Sequence, residues 1–430
     1  MTQRQVEVPV IARVEGEGAL HITTKDDEIL DLRLEIYEPP RFFEAFLQGR
    51  HFSEVPDIVP RICGICPVAY QMSAIHGLEE LFGVQVPEGT HELRRLLYCG
   101  EWIESHILHI FLLAAPDFLE MHSAIEMAKE HPELVKTVLG IKRVGNDIME
   151  KVGGREIHPV SPRVGGFSRA ARRRELDPLL SRLEWALEQM PGIADFVASL
   201  PRPELPRQTE MVGLVHPDEY GINEGDLAST TGRRFTAAEF EQVSREEHVE
   251  HSNALHSVMV DTGEPYFVGP LARINLNAGQ LTPVATDVMR RAGLSIPEAD
   301  PFFSMSARLA ESTLAIEEAI RIIRGYRQPE PSMVEVTPKA GRGMWVTEAP
   351  RGALYHRYDV AEDGTIVEAK IVPPTSQNLR HMEKDLRDFL PGVLDRPDEE
   401  LTRLCEMVVR NYDPCISCAT HFLTLDVTRL

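Results

Sequence analysis

The chain has 430 residues, of which 43% are hydrophobic, so it can bury a large core without disulfide bonds. Its 45 basic and 67 acidic residues give a formal net charge of −22, which opposes binding to nucleic acids or anionic membrane surfaces. No Ser/Gly-rich or highly charged linker divides the sequence, and this favours one large folded unit.

Nothing in the sequence predicts a membrane span or an export signal. The most apolar stretch, residues 107–115, is too short to cross a bilayer and contains His109. The N-terminal residues lack the basic and then apolar pattern of a secretion signal. Four of the six cysteines form two C-x-x-C pairs, a pattern typical of metal binding in a reducing compartment. We therefore expect a cytoplasmic protein.

Two β-hairpins are predicted, one near each end of the chain. Residues 30–36 alternate between aliphatic and charged side chains, which is the period of a half-buried strand. With residues 20–24 before it, this strand forms the first hairpin. The second hairpin pairs residues 353–360 with 365–372 across a turn that contains Gly364.

Helical patterns dominate the rest of the sequence. We expect helices over residues 72–81, 91–115, 176–200, 237–256 and 304–326. A last helix begins near Asp398, a candidate N-cap, and carries apolar residues at helical spacing from Leu401 to Val409. The predicted fold class is therefore α+β and mainly α, with a core of long helices and peripheral antiparallel hairpins.

The two cysteine pairs carry the clearest chemistry. Cys63 and Cys66 lie near the N-terminus, and Cys415 and Cys418 lie near the C-terminus, followed at the same spacing by His421. Four thiolates most often hold structural zinc, but zinc ribbons close within tens of residues, whereas these pairs lie at opposite ends of a large fold. The spacing alone leaves structural zinc and a catalytic or redox metal as equal alternatives.

The residues around both pairs resemble the large subunit of [NiFe] hydrogenases, and specifically the cytosolic NADP-linked sulfhydrogenase type (group 3b). The likeness covers nearly the whole chain and implies the fold of that subunit. It is carried by the following segments: Ala12 to Gly16, Pro40 to Glu44, Arg61 to Pro67, Glu104 to His109 with Pro116 and Asp117, Gly154 to His158, Val164 to Phe167, Val268 to Arg273, Thr347 to Gly352, and Asp413 to His421.

The resemblance implies a nickel–iron centre that cleaves dihydrogen heterolytically. All four paired cysteines, Cys63, Cys66, Cys415 and Cys418, would hold nickel. Cys66 and Cys418 would also bridge to an iron that carries one carbonyl and two cyanide ligands, completing a Ni-Fe(CN)2CO centre. Thiolates suit this role because they make the nickel soft and electron-rich.

The resemblance also assigns roles around this centre. Arg351 would lie over the metals, where a planar cation orients hydrogen and stabilises developing charge. Asp117 and Asp413 would fix this arginine. Glu15 would begin the proton exit path, which requires a pKa close to neutrality.

A second metal site is implied near the C-terminus. Glu44 and His421 match ligands of a Mg²⁺ or Fe²⁺ ion, with a main-chain carbonyl near Lys370 or Ile371 as a third ligand. Pro374 and Thr375 fall where the family places a group that hydrogen-bonds a cyanide.

One position departs from the family pattern. Most members have a histidine four residues after the second cysteine of the first pair, where it hydrogen-bonds a cysteine sulfur, whereas this chain has Tyr70. The Tyr70 hydroxyl or the His76 ring are the two candidates to replace that donor. The remaining thiols, Cys99 and Cys405, lie on apolar helix faces and are expected to be ordinary buried cysteines.

Partners must complete the reaction. The chain has too few cysteines left for an iron–sulfur relay, so we expect a small subunit that carries Fe-S clusters. It has no Gly-rich dinucleotide fingerprint, so NADP(H) would bind a diaphorase-type subunit that holds flavin and further clusters. Maturation factors are also implied. Among them is a nickel-dependent endopeptidase that removes residues 422–430 from a single domain over 1–421.

Other functions share these features. NAD-reducing and heterodisulfide-linked hydrogenases have the same active site and different partners. A hydrogen-sensing regulatory subunit or a structural homologue related to complex I would not turn over hydrogen, and the four retained cysteines with Arg351 oppose the structural homologue.

Overall fold

The computed structural model describes residues 3–26 and 28–420. His421 and the predicted C-terminal extension, residues 422–430, lie outside the described residues. The single-domain boundary at residue 421 therefore stays a prediction.

The described chain is mainly helical. Its α-helices, α1 to α16 in chain order, are Phe43–Leu47, Val55–Ile58, Pro67–Phe82, Glu88–Leu108, Ala115–Phe118, Ala124–Glu130, Pro132–Gly153, Arg173–Leu176, Leu180–Ser199, Phe240–Val243, Pro270–Asn277, Pro283–Arg291, Ser304–Gly325, Pro374–Phe389, Asp398–Asn411 and Ile416–Ala419. A π-helical turn at His109–Ala114 joins α4 to α5, and short 3-10 turns precede or follow several other helices.

The strands are short and mostly antiparallel. They are β1 to β14 in chain order: Gln3–Val8, Gly18–Lys25, Glu28–Ile36, Pro162–Arg163, Gly166–Phe167, Met211–Val215, Asp226–Ser229, Arg234–Phe235, Ser244–Val249, Ser252–Met259, Phe267–Val268, Gly341–Ala349, Gly352–Val360 and Ile366–Val372. They form three sheets, with strand orders β1-β2-β3, β11-β6-β7-β8 and β12-β13-β14, and two hairpins, β4-β5 and β9-β10. Among these strand pairs, β11 and β6 are parallel and the others are antiparallel.

Four long helices form the centre of the fold. Helix α4 packs against α7 and α13, and α9 packs against α7 and α13. Their facing sides are aliphatic and fully buried, as Leu96, Ile148 and Ile316 illustrate, so burial of apolar surface holds this layer together. No described helix is both long and apolar enough to cross a membrane.

The remaining layers bring both ends of the chain to one place. Helix α3, which follows the first cysteine pair, packs against β12 and β13. Helix α14 packs against β3, β10, β11 and the short helix α16, which carries the second pair. The sheets and α14 therefore hold the N-terminal and C-terminal motifs together.

The structure confirms the predicted fold class and both hairpins, each of which gains a third strand. β1 pairs with β2, and β12 pairs with β13. The helices predicted over 72–81, 176–200 and 304–326 correspond to α3, α9 and α13, and the last helix begins at Asp398 itself, with Pro397 as its N-cap residue.

The helix predicted over 237–256 is wrong. Only Ala237–Glu239 and α10 are helical there, and the chain then forms the hairpin of β9 and β10. Residues 244–250 are rich in charged side chains that also suit a helix. Pairing between the two strands and packing of β10 against α14 override this local preference.

Candidate metal centre

The four paired cysteines converge on one buried point. Cys63 follows the 3-10 turn Val59–Ile62, and Cys66 is the N-cap residue of α3. Cys415 is the N-cap residue of α16, and Cys418 lies within that helix. The Sγ atoms of Cys63 and Cys415 are 3.4 Å apart, although 352 positions separate them, and those of Cys66 and Cys418 are 3.9 Å apart. All four thiols are free, and each residue is at most 2% exposed.

This donor set fits a soft metal ion. The four sulfur atoms lie within 4.8 Å of one another, so each can reach a common ion. The neighbouring cysteine thiols, first of all Cys415, hold the pKa of the Cys63 thiol well below its usual range, whereas burial raises the pKa of Cys415 and Cys418. Four buried thiolates would be very costly without a compensating cation. The sulfur atoms alone fit both zinc and nickel.

Residues from the N-terminal motifs clamp the two cysteine segments together. Glu15 forms an isolated parallel bridge with Cys415, and the Ile416 N–H donates to the Glu15 carbonyl at 2.8 Å. The Arg41 guanidinium donates to the carbonyl of Ile62 at 2.7 Å and also to that of Ser417. Arg41 thus bridges the residues next to Cys63 and Cys418.

Gly16 allows this close approach. Its φ is +88°, a left-handed conformation that favours glycine. A Cβ atom there would lie 2.5 Å from a carboxylate oxygen of Glu38 and 2.7 Å from the Cβ of Ile416. A side chain there would push the segment between β1 and β2 away from the second cysteine pair.

Arg351 lies at the turn between β12 and β13, beside the cluster. Its Nε donates to the Asp413 carbonyl at 2.6 Å, and Nη2 donates to Asp413 Oδ1 at 3.0 Å. Arg351 holds the pKa of Asp413 below its usual range, although burial alone would raise it. Among the described residues, Arg351 Nη1 has no hydrogen-bond partner. One donor nitrogen of a fully buried guanidinium is therefore available beside the thiols. Against the effect of burial, Asp413 first and then the neighbouring cysteines raise the Arg351 pKa.

Glu15 contacts the cluster directly. Its Oε2 accepts from the Cys415 thiol at 3.0 Å and from the Ser417 N–H at 3.1 Å. Burial, together with the neighbouring Cys63, raises the Glu15 pKa. A carboxyl with a raised pKa beside a thiol can accept and release a proton.

Asp117 differs from the sequence-based expectation. It binds Arg410 through two hydrogen bonds of 2.6 and 2.8 Å and also pairs with Arg13. Within residues 3–26 and 28–420, no hydrogen bond or ion pair joins Asp117 to Arg351. The expectation that Asp117 fixes Arg351 is therefore corrected: two other arginines occupy its carboxylate.

The residues expected at the second metal site are only partly described. Glu44 is in α1, and its Oε1 accepts from the Ile371 N–H at 2.7 Å. Burial raises the pKa of Glu44 to about 8. Pro374 begins α14, and the Thr375 hydroxyl accepts from the Cys415 N–H at 3.0 Å. Glu44 thus lies beside the predicted carbonyl segment, and Thr375 lies beside the first metal site.

Tyr70 occupies the position of the usual histidine. It is fully buried in α3, and its pKa is raised well above the usual range, first by burial and then by the neighbouring Cys418. Its ring lies 5.6 Å from that of His356. His76, by contrast, stacks on Trp345 at 5.3 Å. Tyr70 is therefore the better placed of the two candidate donors.

The sequence motifs do not reveal Glu101. Its carboxylate lies on α4 and accepts from the Val68 and Ala69 N–H groups at 2.6 and 3.2 Å, so it caps the helix that begins beside Cys66. Burial raises its pKa well above the usual range. No local pattern could identify it, because α4 reaches α3 only through the tertiary fold.

Comparison with known proteins favours nickel over zinc. The sequence profile of the family described as nickel-dependent hydrogenase matches residues 41–167 and 260–421, which is more than half of the chain. The sulfhydrogenase 2 subunit alpha of Pyrococcus furiosus is 34% identical over 423 residues, covering 98% of this chain and 100% of that protein. The beta subunit of the NAD-reducing hydrogenase HoxS of Cupriavidus necator is 26% identical, covering 98% of this chain and 95% of that protein.

Solved structures agree with the sequence relatives. A NAD⁺-reducing [NiFe]-hydrogenase in its H2-reduced state superimposes with a TM-score of 0.85 at 29% identity, covering 97% of this chain and 99% of that one. A Ni-Fe-Se hydrogenase from D. vulgaris Hildenborough has the same fold, with a TM-score of 0.79 at 20% identity. The match covers 98% of this chain and 100% of that one. These findings confirm the resemblance drawn from the motifs. The chain belongs to the nickel-dependent hydrogenase family as a large subunit, and it is an oxidoreductase that acts on hydrogen.

Proposed function

We propose that this chain is the catalytic large subunit of a cytoplasmic, bidirectional [NiFe] hydrogenase that interconverts H2 with two protons and two electrons. One observation carries the proposal: the four thiols meet beside a carboxyl group on one side and a guanidinium group on the other, those of Glu15 and Arg351. A structural zinc site needs only the thiols, whereas heterolytic cleavage of H2 also needs a base and a fixed positive charge.

Cys63, Cys66, Cys415 and Cys418 would hold the metals, with Cys66 and Cys418 shared between nickel and an iron that carries one carbonyl and two cyanide ligands. When bound, this group supplies the two-electron chemistry of H2. The four cysteines are each at most 2% exposed, and this burial excludes bulk water from the sulfur atoms. The Thr375 hydroxyl and the ring of Pro374 lie at the start of α14, against the segment of Cys415. They would line the side that holds the cyanides.

Glu15 would carry the proton away from the centre. A proton held on Cys415 Sγ can pass to Glu15 Oε2 over the 3.0 Å hydrogen bond. The raised pKa of Glu15 reduces the free-energy cost of that transfer. The Ser417 N–H holds the same oxygen in place. In hydrogen evolution the proton would move in the opposite direction.

Arg351 would place its unpartnered Nη1 beside the reacting hydrogen. Asp413 holds the other side of the guanidinium through two hydrogen bonds, which fixes the plane of the group. The charge is permanent, so this donor stabilises a developing negative charge without any proton transfer.

Electrons would leave through a partner subunit. The two remaining cysteines, Cys99 and Cys405, are buried on separate helices, and the part of the chain that the structure describes has no second group of cysteines. A small subunit with Fe-S clusters would take the electrons, and a diaphorase-type subunit would pass them to NADP⁺. Each NADP⁺ would take up two electrons and one proton. Sulfur or polysulfide reduction is a further proposed activity, supported by the sulfhydrogenase relatives.

A second metal ion and a maturation step complete the proposal. Glu44 and His421 would hold Mg²⁺ or Fe²⁺ with a main-chain carbonyl of Lys370 or Ile371. A nickel-dependent endopeptidase would remove residues 422–430 and leave His421 as the new C-terminus. Mass spectrometry of the active protein tests this step, because an active chain that retains the tail would contradict it.

Co-expression with the partner subunits and maturation factors tests the function. We expect H2-dependent reduction of NADP⁺, assayed beside NAD⁺, together with nickel in the large subunit and infrared bands of metal-bound carbonyl and cyanide. Reduction of NAD⁺ alone would support a NAD-reducing enzyme. Absence of turnover with nickel present would support a hydrogen sensor, and zinc without nickel or carbonyl bands would overturn the site assignment.

A further inference from the structure

A second group of metal-ligand side chains lies outside the cysteine centre. His251 lies in the turn between β9 and β10, His256 is on β10, and Glu383 is on α14. One ligand atom from each side chain lies within 4.8 Å of those of the other two. The group therefore joins the β9-β10 hairpin to the helix that packs across it.

Two of the three side chains already contact each other. His251 Nε2 and Glu383 Oε1 are 2.7 Å apart, and the same carboxylate oxygen accepts from the Leu34 N–H at 3.0 Å. The imidazole rings of His251 and His256 meet edge to face, with their centroids 5.6 Å apart. An ordinary ion pair between His251 and Glu383 would explain the first contact.

That ion pair does not explain His256. The residue is 1% exposed, and neither of its ring nitrogens has a hydrogen-bond partner among the residues that the structure describes. A buried and unsatisfied polar group destabilises the folded chain, so its presence calls for a ligand.

We propose that His251, His256 and Glu383 bind a divalent transition-metal ion, with Zn²⁺ as the ion that best suits two imidazoles and one carboxylate. The ion would replace the hydrogen bond between His251 and Glu383 and satisfy His256. The His251 side chain is 19% exposed, so the site reaches solvent and a water molecule can complete a tetrahedron.

This site is separate from the cysteine centre. Glu383 follows Thr375 by eight residues on α14, a rise of about 12 Å along the helix axis. None of its three ligands is a thiol, and none belongs to the proposed second site at Glu44. The ion would act as a structural tie: it would fix the hairpin to α14, whose first turn contacts Cys415 through Thr375.

Metal analysis of the assembled and matured complex tests the proposal. The complex is stripped of weakly bound ions with a chelator and then loaded with Zn²⁺ alone. The test variants are Glu383→Gln, which keeps an acceptor for the Leu34 N–H, and His251→Gln at the solvent side. The matched control is His248→Ala, which removes an exposed histidine from the same hairpin.

We expect wild type and His248→Ala to bind about one Zn²⁺ per large subunit more than either test variant does. Zn²⁺ should also raise the Tm of wild type and His248→Ala but not of Glu383→Gln, because only a folded site binds the ion. Equal zinc content in wild type and Glu383→Gln would overturn the proposal.

Cobalt distinguishes this site from the cysteines. Co²⁺ bound to nitrogen and oxygen ligands gives visible d–d bands without the near-ultraviolet charge-transfer band of a thiolate. We expect wild type to show the d–d bands without the thiolate band, and we expect His251→Gln to lose these d–d bands. A thiolate charge-transfer band that is the same in both proteins would show that the ion binds cysteine, and the proposed site would then be wrong.

Discussion

The Oε2 atom of Glu15 lies 3.0 Å from the Sγ of Cys415, although 400 positions separate the two residues. Backbone pairing holds this contact, because Glu15 and Cys415 form a parallel bridge. Substitution of the side chain should therefore leave the position of the cysteine unchanged.

Glu15→Gln tests the proton path. The amide keeps a hydrogen-bond acceptor for the Ser417 N–H but cannot take up a proton. We expect H2 oxidation and H2 evolution to fall by about 100-fold to 10,000-fold, the usual contribution of a positioned acid or base. Nickel content and the carbonyl and cyanide infrared bands should be unchanged.

Glu17→Gln is the matched control, because Glu17 is exposed in the same segment. It should retain wild-type turnover. Full activity in Glu15→Gln would contradict the proposed path, whereas loss of nickel would show a structural role instead.

Arg351→Lys tests the need for a planar donor. Lysine keeps the charge but cannot donate to the Asp413 carbonyl, to Asp413 Oδ1 and to the centre at once. We expect turnover to fall by about 100-fold or more, with metal content preserved, since preorganised charge is lost at the reacting atoms. Arg342→Lys, at a half-exposed ion pair with Asp359, serves as the control. Comparable activity in Arg351→Lys and wild type would contradict the role.

Tyr70→Phe tests whether the Tyr70 hydroxyl donates to a cysteine sulfur, the role expected of this position. The Tyr70 hydroxyl lies beside Cys418, and a donor there withdraws electron density from the thiolate. Its removal should shift the carbonyl infrared band to lower wavenumber, because a more electron-rich iron donates more strongly to carbonyl. Tyr70→His should restore the band toward its wild-type position. An unchanged band in Tyr70→Phe would show that the hydroxyl does not contact the sulfur.

His91 makes stability depend on pH. Hydrogen bonds to Glu219 and Glu224 raise its pKa to about 9. The unfolded value is about 6.5, so the stabilising contribution is fully present below that pH and is lost as the pH rises through about 9. Because the side chain is partly exposed, we expect roughly 1 kcal/mol.

Thermal unfolding of His91→Gln against wild type measures this contribution. The Tm difference should be present at pH 6 and absent above about pH 9. His122→Gln, at an exposed histidine, should show no such dependence. A His91→Gln difference that grows as the pH rises would contradict the assignment.

Arg41→Met tests the clamp between the cysteine segments. The guanidinium bonds to the carbonyls of Ile62 and Ser417 are lost, which should destabilise the folded chain by about 1.5–3 kcal/mol. We expect lower nickel content per chain and a lower Tm. Arg33→Met, at an exposed ion pair with Asp31, should change neither. Normal nickel content in Arg41→Met would show that backbone contacts alone hold the segments.

The elements that could be predicted from the sequence are those with a local hydrophobic pattern. Alternation identified the strand at 30–36, and helical periodicity identified α9 and α13, because each pattern reflects one buried face. The predicted helix over 237–256 failed because two strands paired with each other and packed on α14, and these contacts are not encoded in the local pattern.

The same distinction between local sequence patterns and tertiary contacts applies to the metal centre. Motif spacing was enough to group the four cysteines, and the structure brings Glu15, Arg351 and Asp413 beside them. Asp117 lay in a matching motif but pairs with Arg410, because the tertiary fold brings this arginine of α15 to the carboxylate. Glu101 reaches the start of α3 only through the tertiary fold and has no sequence signal.

Because Cys63 and Cys415 are 352 positions apart, the ribosome makes the two cysteine pairs at different times. Ribosomes add about 5–20 residues per second, so the first pair is made roughly 20 to 70 seconds before its partners exist. During that interval two thiols can offer only half of a coordination shell, and any ion they capture stays exposed to exchange. Metal insertion must therefore wait for the last segment of synthesis, and a cell that makes this protein has to keep the early thiols free until then.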